Sequence, residues 1–136
     1  MCKQYGCVAV LDLKYSSVAA VKKTYKLVRK KDMLDQTVFQ SSVKLYLQTV
    51  RKMDKKACLW YLANNISSAV IRTARNLKCQ CVTVGTVTKS ADNKAHKNGL
   101  QVCCWIEIPT SAKASRAMDK RYGKYGVDYI MENRFL

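Results

Sequence analysis

The stretch from Asp54 to Ile108 constrains the chain most, because a strongly patterned segment runs straight into two strand-like runs. Asp54 is placed to cap a helix, and Leu59, Leu62, Ala63, Ile66, Val70, Ala74 and Leu77 follow it at helical spacing. One apolar stripe results. The opposite face shows Lys55, Lys56, Arg72, Arg75, Asn76 and Lys78, so such a helix turns an apolar side to a core and a cationic side to a partner. Val82, Val84 and Val87, then Leu100, Val102, Cys104, Ile106 and Ile108, read as two β-strands. The polar, positive stretch from Lys89 to Gly99 between them reads as a flexible hairpin tip.

Charge narrows the choice of partner. Lys and Arg total 25 against 9 acids, a formal net charge of +16. Self-repulsion at that level costs stability, so a polyanion is the natural neutraliser. Apolar residues make up 49% of the chain, which argues for a folded domain and against a basic tail. At 136 residues, one domain over 1–136 is expected. No apolar run approaches a membrane span, and the N-terminus lacks a signal-peptide core. The expected compartment is the cytoplasm, or a host nucleus for a viral or eukaryotic protein.

Along the chain, Gly6 to Leu13 reads as a short buried strand. Ser16 and Ser17 offer a cap for a helix through Val18, Val21, Tyr25 and Val28, with Lys22, Lys23, Lys26, Arg29 and Lys30 outside. Asp32 or Asp35 starts a second helix, with Phe39, Val43, Tyr46, Leu47 and Val50 along one side. After the central helix and hairpin, Thr110 or Ser111 caps a short helix through Ala114, Ala117 and Met118. Val127 to Met131 pairs as an edge strand. The expected fold class is α+β: three helices followed by a β-hairpin, with a short N-terminal strand and a C-terminal helix and edge strand.

The helix-then-hairpin order resembles the winged helix-turn-helix DNA-binding superfamily over about half the chain. Lys56 to Ala63 stands for the first helix, Asn64-Asn65-Ile66 for the turn, and Ser67 to Leu77 for a second helix capped by Ser67. The resemblance implies a recognition helix in the major groove and a basic wing on the backbone. The bulky Trp60 and Tyr61 depart from that motif, and the stripe keeps its phase through Asn64-Asn65. One uninterrupted helix therefore stays open beside it.

Under either version the expected nucleic-acid contacts are Lys55, Lys56, Arg72, Arg75, Asn76, Lys78, Lys89, Lys94, His96 and Lys97. The expected function is a non-enzymatic DNA-binding regulator or replication accessory factor, with DNA preferred over RNA and homodimerisation left open. Two alternatives stand beside it. One is a viral or ribosome-associated RNA-binding protein, such as a silencing suppressor or nucleocapsid component. The other is an inhibitor or adaptor docking on an acidic protein.

Seven cysteines (Cys2, Cys7, Cys58, Cys79, Cys81, Cys103 and Cys104) are many for this length, but no zinc-site spacing appears. Thiols are expected, with no metal and no cofactor. The sole histidine, His96, sits in the polar stretch, a poor place for a preorganised base. A metal-dependent nuclease survives only through Asp12 and Glu107 on adjacent strands.

Overall fold

The computed structural model describes residues 2–14, 17–105 and 111–131. A single helical turn, α1 (Cys2–Tyr5), comes first. Strands and helices then alternate: β1 (Ala9–Asp12), α2 (Val18–Lys30), β2 (Thr37–Ser41), α3 (Lys44–Met53), β3 (Cys58–Ala63) and α4 (Ser68–Asn76). The second half continues with β4 (Cys81–Val84), α5 (Lys89–His96), β5 (Gln101–Trp105), α6 (Ala112–Tyr125) and β6 (Tyr129–Met131). A short 3-10 turn at Leu34–Gln36 leads into β2. Every strand pair is parallel, and the order across the sheet follows the chain from β1 to β6. A tight turn cannot join parallel neighbours, so each connection carries a returning helix.

The sheet is curled into a half-barrel. Its register shows the stagger that tilted barrel strands require. Asp12 pairs with Gln40, Gln40 with Trp60, Trp60 with Cys81, and Cys81 with Gln101. One row across the sheet therefore starts at the last residue of β1 and ends at the first of β5.

Alternation along each strand builds two cores. On the helix side, Phe39, Leu59, Val82, Val84, Val102 and Cys104 pack with Val21 and Tyr25 of α2, Leu47 and Val50 of α3, and Ile71 and Ala74 of α4. On the inner side, Val38, Trp60, Cys81 and Cys103 form a second cluster. The Trp60 and Tyr129 rings meet there at 4.9 Å between centroids.

One pair of devices recurs at the helix ends. Ser17, Ser67, Thr88 and Ser111 each accept a backbone N–H three residues on, at 3.1 to 3.2 Å, which starts α2, α4, α5 and α6. The same four helices stop at a left-handed residue: Asp32 (φ 53°), Lys78 (φ 55°), Gly99 (φ 72°) and Gly126 (φ 97°). The next N–H then reaches back five residues: Met33 to Val28 O, Cys79 to Ala74 O, Leu100 to Ala95 O, and Val127 to Tyr122 O. A repeat invisible in residue identity is thus present in backbone conformation.

These observations overturn the α+β expectation and the winged-helix resemblance. The segment expected as one helix or a helix-turn-helix is a strand, β3, followed by a helix, α4. Cys58 to Ala63 is a continuous apolar run, and a parallel strand is covered on both faces, so it does not alternate. Its residues matched a helical stripe by coincidence of spacing. Ser67 does cap a helix, as the turn version placed it. The expected hairpin is two parallel strands, β4 and β5, and its supposed flexible tip is α5. Thr88 at the start, Ala95 buried within and Gly99 at the stop make that polar stretch a helix. Phe39 leaves the expected second helix for β2, and only Lys44–Met53 remains helical. The first strand, α2 and the edge strand β6 lie where expected, and α6 runs on to Tyr125. Ile106, Ile108 and Thr110 fall outside the described residues.

Candidate functional site

Alternation also decides which side chains crown the inner face. Two residues on from Val10, Val38, Trp60, Cys103 and Tyr129 come Asp12, Gln40, Leu62, Trp105 and Met131. With Lys14, these residues line a pocket of about 280 Å³ at the C-terminal ends of the strands. Parallel barrels build their active sites at that end.

The polar members of the pocket are a cation, a carboxylate and an amide. Lys14 Nζ lies 3.0 Å from Asp12 Oδ2, with its side chain 63% exposed and that of Asp12 28% exposed. The carboxylate steadies the ammonium without burying it. Gln40 is 4% exposed, and its Oε1 has no hydrogen-bond partner among the described residues. A buried acceptor left unpaired costs about 1–3 kcal/mol, so a donor from a bound molecule would be favoured there. The apolar wall is Trp105, 41% exposed, whose ring lies on Gly85. A Cβ at Gly85 would stand 2.7 Å from Trp105 Cζ2, so only glycine lets the ring settle.

The residues expected to contact nucleic acid lie elsewhere, on the outer ring. Arg72, Arg75 and Asn76 of α4 join Lys94 of α5 around a groove of about 480 Å³. Lys89, Lys94 and Lys97 line a neighbouring hollow of about 580 Å³. Lys94 Nζ donates to Ser68 Oγ at 2.8 Å, and Arg75 to Asn98 Oδ1 at 3.4 Å. Lys55 and Lys56 sit in the turn before β3, and Lys78 ends α4. The surplus charge is not gathered on these residues. Five cations lie on α2 (Lys22, Lys23, Lys26, Arg29, Lys30) and five on α6 (Lys113, Arg116, Lys120, Arg121, Lys124). Water-facing sides of outer helices simply carry the lysines.

His96 is held by two acids. Its Nε2 lies 2.8 Å from Asp128 Oδ2 and its Nδ1 3.2 Å from Asp92 Oδ2. Asp128 Oδ2 also accepts the Val102 N–H at 2.8 Å, so the cluster ties α5 to the start of β6. The hydrogen bond to Asp128 raises the His96 pKa; burial opposes it, and the charge of Asp92 adds to it. Burial raises the Asp92 pKa. A histidine pKa raised on folding stabilises fully below the ordinary value near 6.5, and that contribution fades as pH rises through the folded value. The thermal midpoint of His96→Gln should therefore fall furthest below wild type at pH 5.5. The gap should narrow by pH 8.5, and an equal gap at both would refute the clip.

The cysteines diverge. Cys79 and Cys104 belong to the helix-side core, while Cys81 and Cys103 belong to the inner one. All seven are free thiols, and burial pushes those of Cys79 and Cys103 up to about 12. No three His, Cys, Asp or Glu side chains are grouped to hold a metal ion among the described residues. Asp12 stands at the barrel mouth, and Glu107 lies outside the described residues. No described helix is long and apolar enough to cross a membrane.

Neither a protein-family model nor a curated protein sequence matches the chain. Solved structures do. A protein assigned as a glycerophosphoryl diester phosphodiesterase from Silicibacter pomeroyi superposes with a TM-score of 0.81 at 21% identity, over 98% of this chain and 50% of that one. A phosphodiesterase from Oleispira antarctica, solved with the product sn-glycerol-3-phosphate, gives 0.81 at 14% identity, over 96% and 53%. A glycerophosphodiester phosphodiesterase from Agrobacterium tumefaciens gives 0.68 at 17%, over 93% and 53%. The chain spans about half the length of these structures.

At such identities the likeness establishes the fold, which is that of phosphodiesterase barrels and not of winged-helix domains. The expectation of a non-enzymatic nucleic-acid binder falls with it: the three structures just named are phosphodiesterases, which are enzymes, and none is described as a nucleic-acid binder. The DNA-binding, RNA-binding, viral and acidic-partner readings rested on composition and on a basic helix and hairpin that the parallel sheet does not contain, and they lose that footing. Sequence reasoning missed Lys14, Gln40, Gly85 and Trp105. The signal available was Asp12-Leu-Lys14 closing the first strand, which is polar where a buried run ends.

Proposed function

We propose that the barrel mouth is part of a site that binds and hydrolyses a small phosphodiester of the glycerophosphodiester class. The observation that carries this reading is the Lys14–Asp12 pair set among apolar inner-face residues at the C-terminal strand ends. The fold shared with phosphodiesterases supports it. In hydrolysis, water adds to phosphorus and the bond to the leaving alkoxide oxygen breaks, with a proton passing to that oxygen. Negative charge grows on the non-bridging oxygens during that step, and a fixed ammonium stabilises it more than it stabilises the ground state. Lys14 supplies that charge, and Asp12 holds it in place. Gln40 Oε1 accepts from an alcohol hydroxyl of the substrate, and the Trp105 ring covers its carbon skeleton.

The test is binding of sn-glycerol-3-phosphate, followed by the indole N–H resonances of the two tryptophans, Trp60 and Trp105. The Trp105 signal should shift saturably while that of buried Trp60 moves little. Lys14→Met should weaken binding roughly tenfold or more, as expected for a lost charge-assisted hydrogen bond of about 1.5–3 kcal/mol. Glycerol alone should not compete. Absence of a saturable shift, or unchanged affinity in Lys14→Met, would remove the reading.

A further inference from the structure

We propose that the outer ring carries a second ligand site, between α4 and α5, for a small molecule with two phosphoryl groups. Two hollows meet there. Arg72 and Arg75 of α4 join Lys94 of α5 around the groove of about 480 Å³, and Lys89 and Lys97 join Lys94 around the hollow of about 580 Å³. Lys94 lines both. Each volume is in the range of about 300–1,000 Å³ usual for small-molecule sites.

Helix geometry places the cations. Arg72 and Arg75 are three residues apart on α4, so their side chains leave the same face. Lys94 and Lys97 repeat that spacing at the end of α5. Neutral neighbours position two of the heads: Lys94 Nζ donates to Ser68 Oγ at 2.8 Å, and Arg75 to Asn98 Oδ1 at 3.4 Å. Asn98 is steadied in turn by donating to Lys94 O at 2.8 Å. A hydroxyl or amide oxygen holds a cation without neutralising it.

No acid competes for these side chains. α4 contains none, and Asp92, the one acid of α5, is 1% exposed and turned against His96. Among the described residues no carboxylate forms a salt bridge with any of the five cations. The groove differs in this from the mouth, where Asp12 accompanies Lys14. Guanidinium forks match phosphoryl oxygens, which accept paired hydrogen bonds. One phosphoryl group then lies on Arg72 and Arg75 and the other on Lys89 and Lys97, with Lys94 shared. Lys55, Lys56 and Lys78 line neither hollow, so the cations form a pair of concavities and not a track along the surface. The site lies within residues 68–98 and stands whether or not the mouth hydrolyses phosphodiesters.

The test titrates the full 136-residue chain with inorganic pyrophosphate and, separately, with fructose 1,6-bisphosphate. Physiological ionic strength screens unstructured attraction beyond about 8 Å. Saturable binding of either probe supports the site, and the tighter of the two gives the spacing of the phosphoryl groups. Inorganic phosphate, with one such group, should bind roughly tenfold or more weakly than the better probe. Amide resonances should shift in α4 and α5 and stay still in α2 and α6, which carry five cations each but line neither hollow. Lys94→Gln should weaken binding roughly tenfold or more, as for a lost charge-assisted hydrogen bond. Arg72→Gln, at an exposed position, should do the same. Lys30→Gln removes the same charge from α2 and should change the affinity less than roughly twofold. Lys14→Met alters the mouth and should leave the α4 and α5 shifts in place, so failure at one site is distinguishable from failure at the other. Four results would overturn the proposal: shifts spread evenly over α2, α4, α5 and α6, equal losses in Lys94→Gln and Lys30→Gln, inorganic phosphate binding as tightly as either probe, or no saturable binding.

Discussion

Replacing Phe39 by alanine should destabilise the chain by about 3–5 kcal/mol, the usual range for removing a fully buried phenyl ring. Phe39 is 1% exposed in the layer between the sheet and the helices, with the Tyr25 ring 6.0 Å away. Its place in β2 fixes the side chain, since the flanking Val38 points to the inner cluster instead. A domain of this size is held by about 5–15 kcal/mol, so the substitution should remove a large share of its stability. The measurement is the urea midpoint, with Val10→Ala at the open inner face as the comparison. That second change should move the midpoint far less. Equal losses in the two variants would mean that the helix-side core is not the main one.

The second large effect is expected at Arg51. Its guanidinium donates to four backbone carbonyls: Lys55 O at 2.7 Å, Lys78 O at 2.8 Å, and Asp54 O and Leu77 O at 3.4 Å. One side chain thus joins the end of α3, the turn into β3 and the exit of α4. Hydrogen bonds from a charged donor contribute roughly 1.5–3 kcal/mol, and the two short ones dominate here. Arg51→Ala should cost about 2–4 kcal/mol in the same unfolding experiment. Arg51→Lys should recover less than half, because an ammonium cannot span acceptors that a planar fork reaches on several sides. Full recovery by lysine would show that charge alone, and not the fork, matters at this junction.

Arg51 also shows why charge was misleading in the sequence. It reads as one more cation decorating a helix, yet it works as a backbone clamp. His96 is similar: it reads as part of a basic tip and is a clip between two carboxylates. Composition counts charges and does not say where the chain turns them. The candidate site suffered from the same limit. Asp12 was noted, but Lys14, Gln40 and Trp105 are separated by up to ninety-one positions and share a pocket only because parallel strands align their ends.

Local chemistry was legible in the chain by itself. The apolar run of β1, the periodic face of α2, the serine that caps α4 and the edge strand β6 each depend on a few neighbouring residues, and nearest-neighbour sterics and hydrogen bonding decide those. Tertiary structure alone decided whether Cys58 to Ala63 was strand or helix, and whether β4 and β5 ran parallel or folded back as a hairpin. A short apolar run satisfies either period, and burial on both faces erases the alternation that would separate them. The strand becomes the stable choice only when neighbours on both sides accept its backbone hydrogen bonds. Those neighbours lie some twenty positions away along the chain, as the pairing of Leu59 with Phe39 and of Tyr61 with Val82 shows.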